Sequence, residues 1–319
     1  MRAKYRIVKS LSILLVLCLA FFFLFSNCWV YLSHQRFGGL ANLQMQHVGN
    51  SDVPASEFVV VGHRGSGLES INGDLLIGNT RAAIDAAIAA EVDWIEIDVR
   101  ATEDRRFVLF HDETLDAKTN ATGPIEKLPL KDLASVELLL SDDENRSILS
   151  LETVLAEYQS SHPSLNWILD LKLGRTEPED DGCPGRMEQA SYFREKLPKL
   201  LGRLGIANRR IKIFGDAEII QAFSDSDFNR GYTLLFASHK DLPLSAEDAL
   251  EHAWKNRCEM VVIPIVFITA SLVEAAKEKG LQVWSYDTND IRDLEYCLAC
   301  GVSGLIVDNP DAVMSSMRQ

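Results

Sequence analysis

The feature that most constrains the fold is an alternation of short apolar runs with helix-like stretches between residues 58 and 308. The runs are five to seven residues long and rich in β-branched residues, as expected of strands buried in a parallel sheet. The alternation therefore predicts an α/β fold. The candidate strands are 58–63, 94–100, 107–111, 167–172, 211–215, 232–236, 260–264, 283–287 and 304–308. The candidate helices are 79–91, the stretch after Leu151, 188–204, 246–256, 269–279 and 290–300.

Residues 57–319 make up about 260 residues, close to the usual size of a TIM (β/α)8 barrel. A barrel of this kind takes eight strands, so one of the nine candidates is expected to be misassigned or to lie outside it. The segment 113–147 has turn residues around Gly123 and Pro124 and predicts a small insertion.

Polar residues end four of the apolar runs. In parallel α/β folds the catalytic groups come from the carboxyl ends of strands, so these residues are the candidates for chemistry. They are His63 with Arg64, Glu96 with Asp98, His111 with Asp112, and Asp170 with Lys172.

The carboxylates predict a metal site. Glu96 and Asp98 are two residues apart on a strand, so their side chains share one face about 7 Å apart and can converge on a cation. Two carboxylates on an apolar strand are costly to bury unless a positive charge is bound. Oxygen ligands favour Mg²⁺ or Ca²⁺ over zinc. Asp170 and Lys172 repeat the spacing with opposite charges, and a plain buried ion pair is their alternative interpretation.

The two histidines have structural interpretations when each is taken alone. A single histidine at a strand end, such as His63, is more often structural, and His111 can cap a turn through Asp112. As a set, however, the four strand ends supply a hard cation site, a lysine and an arginine for a phosphoryl group, and two imidazoles for proton exchange. The pattern therefore favours metal-assisted cleavage of a phosphodiester.

The charge of the chain limits its partners. Residues 1–34 carry four basic and no acidic residues, so the remainder carries 28 Lys and Arg against 46 Asp and Glu. A domain this acidic is not expected to bind nucleic acid. The negative electrostatic potential of the domain would repel a phosphate-containing substrate, unless the potential is positive at the binding site. A bound divalent cation would make it so.

The strand ends belong to longer motifs along the chain. These are VVVGHRGSG, GNTRAAIDAAIAAEVDWIEIDVRATEDRRFVLFHDETLDAKTNATG, ILSLETVL, ILDLK, VWSYDTND and GVSGLIVDNPD. Together they resemble the motifs of the glycerophosphodiester phosphodiesterase family, which is related to the sphingomyelinase D-like enzymes, in order and spacing over about 250 residues. The resemblance implies a TIM barrel with an insertion after the His-Asp strand.

The resemblance also implies roles and a reaction. The substrate's own neighbouring hydroxyl attacks the phosphorus, and water then opens the cyclic phosphate to sn-glycerol 3-phosphate and an alcohol. By this resemblance, Glu96, Asp98 and Asp170 would hold one divalent cation, Mg²⁺ or Ca²⁺, and His63 and His111 would act as general acid and base. Arg64 and Lys172 would bind the phosphate, and Trp284 would help to line the pocket.

Two departures from the family pattern keep alternatives open. Gly78 stands where the family usually has a glutamate, and Glu69 or Asp74 in the lengthened loop could substitute for it. Asp170 stands where glycerophosphodiesterases usually have a glutamate, whereas the sphingomyelinase D-like relatives use an aspartate. The first departure leaves open a catalytically impaired binding barrel. The second leaves open a lysophospholipase D-like or sphingomyelinase D-like lipid hydrolase.

The first 35 residues are expected to lie outside the fold. Residues 11–25 are almost wholly apolar, and the run continues to Leu32, enough to span a bilayer. The basic residues before it place the amino terminus in the cytoplasm and the catalytic domain outside. An uncleaved single-pass anchor over 1–35 is favoured over a cleaved signal peptide. Residues 36–56 are predicted to form a stalk, followed by the domain 57–319.

Overall fold

Eight parallel strands close into a barrel, which confirms the predicted TIM barrel. The computed structural model describes residues 58–67, 77–139, 146–174, 185–233, 245–288 and 291–318. The first strand pairs with both the second and the last, and this pairing closes the sheet. The strands are β1 (Val59–Gly62), β2 (Trp94–Ala101), β3 (Phe107–Leu109), β4 (Trp167–Leu171), β5 (Ile211–Gly215), β6 (Asn229–Thr233), β7 (Met260–Pro264), β8 (Gln282–Thr288) and β9 (Gly304–Val307).

The ninth candidate strand, β3, lies outside the barrel. It pairs antiparallel with the end of β2, and Val99 lies opposite Leu109. The expectation that one of the nine candidates lies outside the barrel is therefore confirmed, and His111 follows a hairpin strand rather than a barrel strand. A three-residue hairpin partner has the same apolar composition as a barrel strand, and composition does not encode pairing direction.

The predicted helices are present, with bounds shifted by a few residues at most. Thr80 caps the first of them, because its Oγ1 accepts a hydrogen bond from the backbone N–H of Ala83. The helices are α1 (Arg81–Ala89), α2 (Leu130–Leu133), α3 (Leu151–Ser161), α4 (Arg186–Arg203), α5 (Ala217–Ala222), α6 (Ala246–Lys255), α7 (Ala270–Glu278), α8 (Ile291–Cys300) and α9 (Pro310–Met317). Helices α2, α5 and α9 were not predicted, although Asn309 followed by Pro310 is a helix-start signal.

Strand β6 begins three residues earlier than predicted. Its first residues are Asn229, Arg230 and Gly231, which do not resemble a buried strand. Two nitrogens of the Arg230 guanidinium are nevertheless satisfied: Nη1 donates to the carbonyl oxygen of Phe223, and Nη2 donates to those of Asn256 and Arg257. Residues 234–236 of the predicted strand lie outside the described residues.

Two apolar layers hold the barrel together. The interior of the barrel contains side chains from alternating strand positions, including Val61, Ile168, Phe214 and Trp284. A larger cluster packs the outer faces of β2, β4 and β5 against α3, α4 and α5. The barrel is therefore a filled core, and its chemistry is confined to the rim formed by the strand ends.

The segment after β3 has a small core of its own. Leu115, Ile125 and Leu133 are fully buried there together with Val108 of β3. The segment includes a one-turn 3₁₀ helix, Ile125–Lys127, followed by α2. This packing fixes the chain that returns from β3 across the end of β2. Of the predicted insertion 113–147, residues 140–145 lie outside the described residues.

Several predictions fall outside the described residues. These are the anchor 1–35, the stalk 36–56, and Glu69 and Asp74. Within the described ranges, none of the helices combines the length and the apolar character needed to cross a membrane.

Candidate active site

Three carboxylates converge at the carboxyl end of the barrel. Glu96 and Asp98 lie on β2, and Asp170 lies on the adjacent β4, where its Cα pairs with that of Asp98. One carboxylate oxygen from each lies within 4.8 Å of the other two. Glu96 and Asp98 are 3% and 1% exposed, so the cluster is largely shielded from water. Neighbouring strands in matched register produce this convergence.

Two cations hold Asp98 in its charged form. Nε of Arg64 lies 2.9 Å from Oδ2, and Nζ of Lys172 lies 3.2 Å from Oδ1. Lys172 also donates to Oδ2 of Asp170 at 2.6 Å. Burial favours the neutral acid, but the two cations outweigh it and hold the pKa of Asp98 well below its usual range. Burial lowers the pKa of Lys172, but Asp170 and Asp98 reverse the shift and raise it.

Of the three carboxylates, Glu96 is the one whose negative charge is least compensated by nearby cationic side chains, because Arg64 and Lys172 contact Asp98 and Asp170. It accepts a hydrogen bond from the backbone N–H of Arg64 at 2.8 Å. Burial and the charge of Asp98 raise the pKa of Glu96 to about 7. A divalent cation at this point would favour the ionised form, and an all-carboxylate oxygen set suits Mg²⁺ or Ca²⁺. The residues present therefore fit a hard cation.

His63 follows β1 and lies between two carboxylates. Its Nδ1 is 2.5 Å from Oδ1 of Asp308, and its Nε2 is 4.0 Å from Oε2 of Glu96. Burial lowers the pKa of His63, but the hydrogen bond with Asp308 and the charge of Glu96 bring it above its usual value. This geometry directs Nε2 toward the acidic cluster.

His111 reaches the same end of the barrel from the hairpin. The backbone N–H of Phe110 donates to the carbonyl oxygen of Asp98 at 3.2 Å, which places the following residue beside β2. Nδ1 of His111 lies 2.7 Å from Oδ1 of Asp112, which also accepts from Nζ of Lys118 at 3.0 Å. Burial lowers the pKa of His111. The pKa of Asp112 falls to about 2, because the hydrogen bonds from His111 and Lys118 outweigh its burial.

Three further residues, not among the predicted site residues, contact the site. Asn79 bonds Asp98 in both directions: its Nδ2 donates to Oδ2 at 2.8 Å, and its Oδ1 accepts from the backbone N–H at 3.0 Å. Asp308 ends the run 304–308, so the strand-end rule applied elsewhere would have found it. Arg100 continues the alternation of Glu96 and Asp98 along β2.

Trp284, the predicted pocket residue, lies in the apolar interior of the barrel. It is 1% exposed and packs edge-on against Phe214, with ring centroids 5.9 Å apart. Nζ of Lys212 lies 5.7 Å from its ring centroid. Tyr286, two residues nearer the carboxyl end of β8, is only partly buried. The pocket role of Trp284 stays a prediction.

Gly78, the first of the two departures from the family pattern, lies against Arg64. A Cβ atom at position 78 would come within 2.6 Å of Cβ and 2.9 Å of Cδ of Arg64. The Arg64 side chain therefore occupies space that any other residue at position 78 would claim.

Comparison with known proteins identifies relatives over most of the chain. The profile of the Glycerophosphoryl diester phosphodiesterase family matches residues 63–312. A glycerophosphodiester phosphodiesterase of Caldanaerobacter subterraneus subsp. tengcongensis is 24% identical over 268 residues, covering 82% of this chain and 98% of that protein. A similar protein of Arabidopsis thaliana, the chloroplastic glycerophosphodiester phosphodiesterase GDPD1, is 24% identical, covering 83% and 81%.

A solved structure supports the same fold. A phosphodiesterase of Oleispira antarctica, determined in complex with the product sn-glycerol-3-phosphate, superposes with a TM-score of 0.64. It is 22% identical, and the match covers 83% of this chain and 99% of that one.

Proposed function

This chain belongs to the glycerophosphoryl diester phosphodiesterase family, and on that premise we propose that it hydrolyses glycerophosphodiesters to sn-glycerol 3-phosphate and an alcohol with one divalent cation. The observation that carries the proposal is the convergence of three carboxylates and two carboxylate-bonded histidines at one end of the barrel. A relative solved with sn-glycerol-3-phosphate supports the product.

The cation would be held by Glu96, Asp98 and Asp170. When bound, Mg²⁺ or Ca²⁺ supplies Lewis acidity and neutralises charge on the phosphate oxygens. Arg64 and Lys172 contact the same carboxylates and are the cationic groups that can bind the remaining phosphate oxygens. This set of charges reverses the negative field of an acidic domain at the point where an anionic ester must bind.

The two imidazoles exchange the protons. In the first step one histidine accepts the proton of the substrate's neighbouring hydroxyl as its oxygen bonds to phosphorus, and the other donates a proton to the departing alkoxide. In the second step the roles reverse, and water opens the cyclic phosphate. Asp308 and Asp112 hold the Nδ1 atoms of His63 and His111, which leaves Nε2 of each ring for the substrate.

The direct test measures release of sn-glycerol 3-phosphate by the purified full chain from a panel of glycerophosphodiesters. The panel is run with EDTA and with Mg²⁺ or Ca²⁺ restored. His63→Ala and His111→Ala should each lower kcat by about 10²- to 10⁴-fold. His162→Ala, which removes an exposed histidine after α3, is the matched control and should leave kcat unchanged. No release from any headgroup would contradict the proposal.

A lipid-like ester is the second candidate substrate, as for a lysophospholipase D. The segments that follow barrel strands form the catalytic face of a TIM barrel, and two of them carry exposed large apolar side chains, Met187 after β4 and Phe267 after β7. Apolar groups around a polar site are typical of sites that take an acyl chain. A comparison of rates on glycerophosphocholine and lysophosphatidylcholine separates the two substrates, and a strong preference for the water-soluble ester would remove the lipid.

We also propose that residues 1–35 anchor the domain to a membrane as a single-pass helix, with the domain outside the cytoplasm. The support is the apolar run 11–25 after four basic residues. The full chain should stay in the membrane fraction after alkaline carbonate extraction, and added protease should digest its domain in cells with permeable outer layers. Release by carbonate would contradict the anchor.

A further inference from the structure

Arg100 contacts the backbone of His111 from a buried position. It lies on β2, two residues beyond Asp98, so it shares the face that carries the acidic cluster. Its Nε and Nη2 both donate to the carbonyl oxygen of His111, at 3.0 and 2.8 Å. The residue is only 3% exposed. Two convergent donors restrict the orientation of one peptide group much more than a single hydrogen bond does.

Glu126 holds the other side of the guanidinium. Nη1 of Arg100 donates to Oε1 of Glu126 at 3.0 Å, and Glu126 is 5% exposed. Glu126 lies in the 3₁₀ helix Ile125–Lys127, and the preceding residue in that helix, Ile125, is fully buried in the small core. Gly174, just beyond β4, packs so closely that a Cβ there would come 2.9 Å from Cδ of Glu126. The carboxylate is therefore fixed by β4 on one side and by the small core on the other.

His111 needs a support of this kind because it lies beyond the end of its strand. Strand β3 ends at Leu109, and Phe110 makes the last backbone bond to β2. The direction of the imidazole depends on the peptide plane that follows, and the carbonyl oxygen of that plane is the one that Arg100 holds. A misplacement of a catalytic group by about 1 Å can cost about 10²-fold in rate.

We propose that Arg100 is a positioning residue that sets the His111 imidazole against the acidic cluster, and that Glu126 fixes the Arg100 guanidinium for this task. The inference rests on the proposed function, in which His111 exchanges a proton with the substrate. Arg100 itself does not touch the substrate in this arrangement. Its donors at Nε, Nη1 and Nη2 are directed at His111 and Glu126.

A general structural role is the competing explanation, and Arg230 provides the control. Arg230 is also a buried arginine whose guanidinium donates to backbone carbonyl oxygens, but it lies at the amino end of β6, opposite the site. Arg230→Lys should lower stability as Arg100→Lys does. If burial alone mattered, both variants would behave alike in kinetics.

The experiment compares Arg100→Lys, Arg230→Lys and Glu126→Gln in the full chain, with kinetics normalised to the folded fraction. Arg100→Lys should lower kcat about 10- to 100-fold and change KM less than about threefold, because a misplaced catalytic imidazole slows chemistry without removing substrate contacts. Glu126→Gln keeps an acceptor for Nη1 and should show a smaller loss of kcat. Arg230→Lys should keep kcat within about twofold once the folded fraction is matched.

Two further arms keep the inference falsifiable. Arg100→Ala leaves a cavity that added guanidinium can enter, so guanidinium should restore part of kcat there and none in Arg230→Ala. His111→Ala tests the premise separately: if it retains activity, the proposed role of His111 fails. If His111→Ala is inactive while Arg100→Lys and Glu126→Gln keep wild-type kcat, only the positioning inference is overturned.

Discussion

Nδ1 of His63 lies 2.5 Å from Oδ1 of Asp308, and this contact joins the carboxyl ends of the first and last barrel strands. The two residues are 245 positions apart in the sequence, and they meet because the barrel closes between β1 and β9. A hydrogen bond at Nδ1 fixes which nitrogen faces the acidic cluster. The carboxylate also stabilises the imidazolium form of His63.

Asp308→Asn is expected to lower kcat about 10- to 100-fold. This is less than the about 10²- to 10⁴-fold that acid–base catalysis contributes, because the His63 imidazole itself is kept. The amide keeps the size of the carboxylate but loses the charge that supports a protonated His63. Steady-state kinetics on a glycerophosphodiester measures the effect. Asp311→Asn, an exposed acid in the first turn of α9, is the control and should have wild-type kinetics. Equal rates in both variants would show that Asp308 does not act on His63.

Divalent cation is expected to raise the melting temperature. At a cation concentration 100 times the Kd, the gain is about 2.7 kcal/mol. For a domain of this size, this corresponds to about 5–10 °C. Glu96→Gln and Asp170→Asn should lose most of the increase, whereas Glu195→Gln, an exposed acid on α4, should keep it. An equal increase in all three variants would place the cation elsewhere.

Glu96 is expected to make the cation-free protein less stable as the pH rises. The unfolded chain loses this proton near 4.5, whereas the folded protein keeps it up to about 7. Between these values the unfolded state binds fewer protons, so the free energy of unfolding falls with pH, by on the order of 3 kcal/mol. Urea unfolding in EDTA from pH 4.5 to 8 measures the slope. Glu96→Gln should flatten it, and a slope unchanged by that substitution would assign the effect to another group.

Most barrel strands could be predicted because strands buried on both faces are continuous apolar runs. β7 shows this most simply, since all five of its residues are buried and its predicted bounds are its actual bounds. The start of β6 could not be predicted, because its first residues fit into the sheet only through contacts with residues that are distant in the sequence. A Cβ at Gly231 would come 2.5 Å from the Phe214 ring, and Arg230 depends on carbonyl oxygens from two other segments.

The same distinction applies to the candidate site. Glu96, Asp98 and Asp170 were predictable because each lies on a strand whose direction and face follow from the pattern. Asn79 was not, because its contact with Asp98 depends on a left-handed backbone conformation, with φ of 62°. Arg64 has a similar value, 51°, and its side chain is directed by the neighbouring loop. Loop conformations of this kind are set by tertiary contacts and leave only weak signals in a sequence.

Gly78→Ala is expected to raise KM about tenfold with a smaller change in kcat. The added methyl would lie 2.6 Å from Cβ of Arg64, so the arginine side chain must move away from its position 2.9 Å from Asp98. One lost charge-assisted contact to the phosphate is worth about 1.5 kcal/mol, which corresponds to about a tenfold weaker complex.

The matched control for this substitution is Gly202→Ala. Gly202 is exposed in α4, and a Cβ atom there meets nothing within 4 Å. That variant should gain about 0.5–1 kcal/mol of stability, because alanine loses less conformational freedom than glycine in a helix, and its KM should be unchanged. Initial rates over a range of substrate concentrations separate the two outcomes. An unchanged KM in Gly78→Ala would contradict this prediction. It would show that Arg64 still binds the phosphate after its side chain has moved, and that the absence of a side chain at position 78 is not needed for substrate binding.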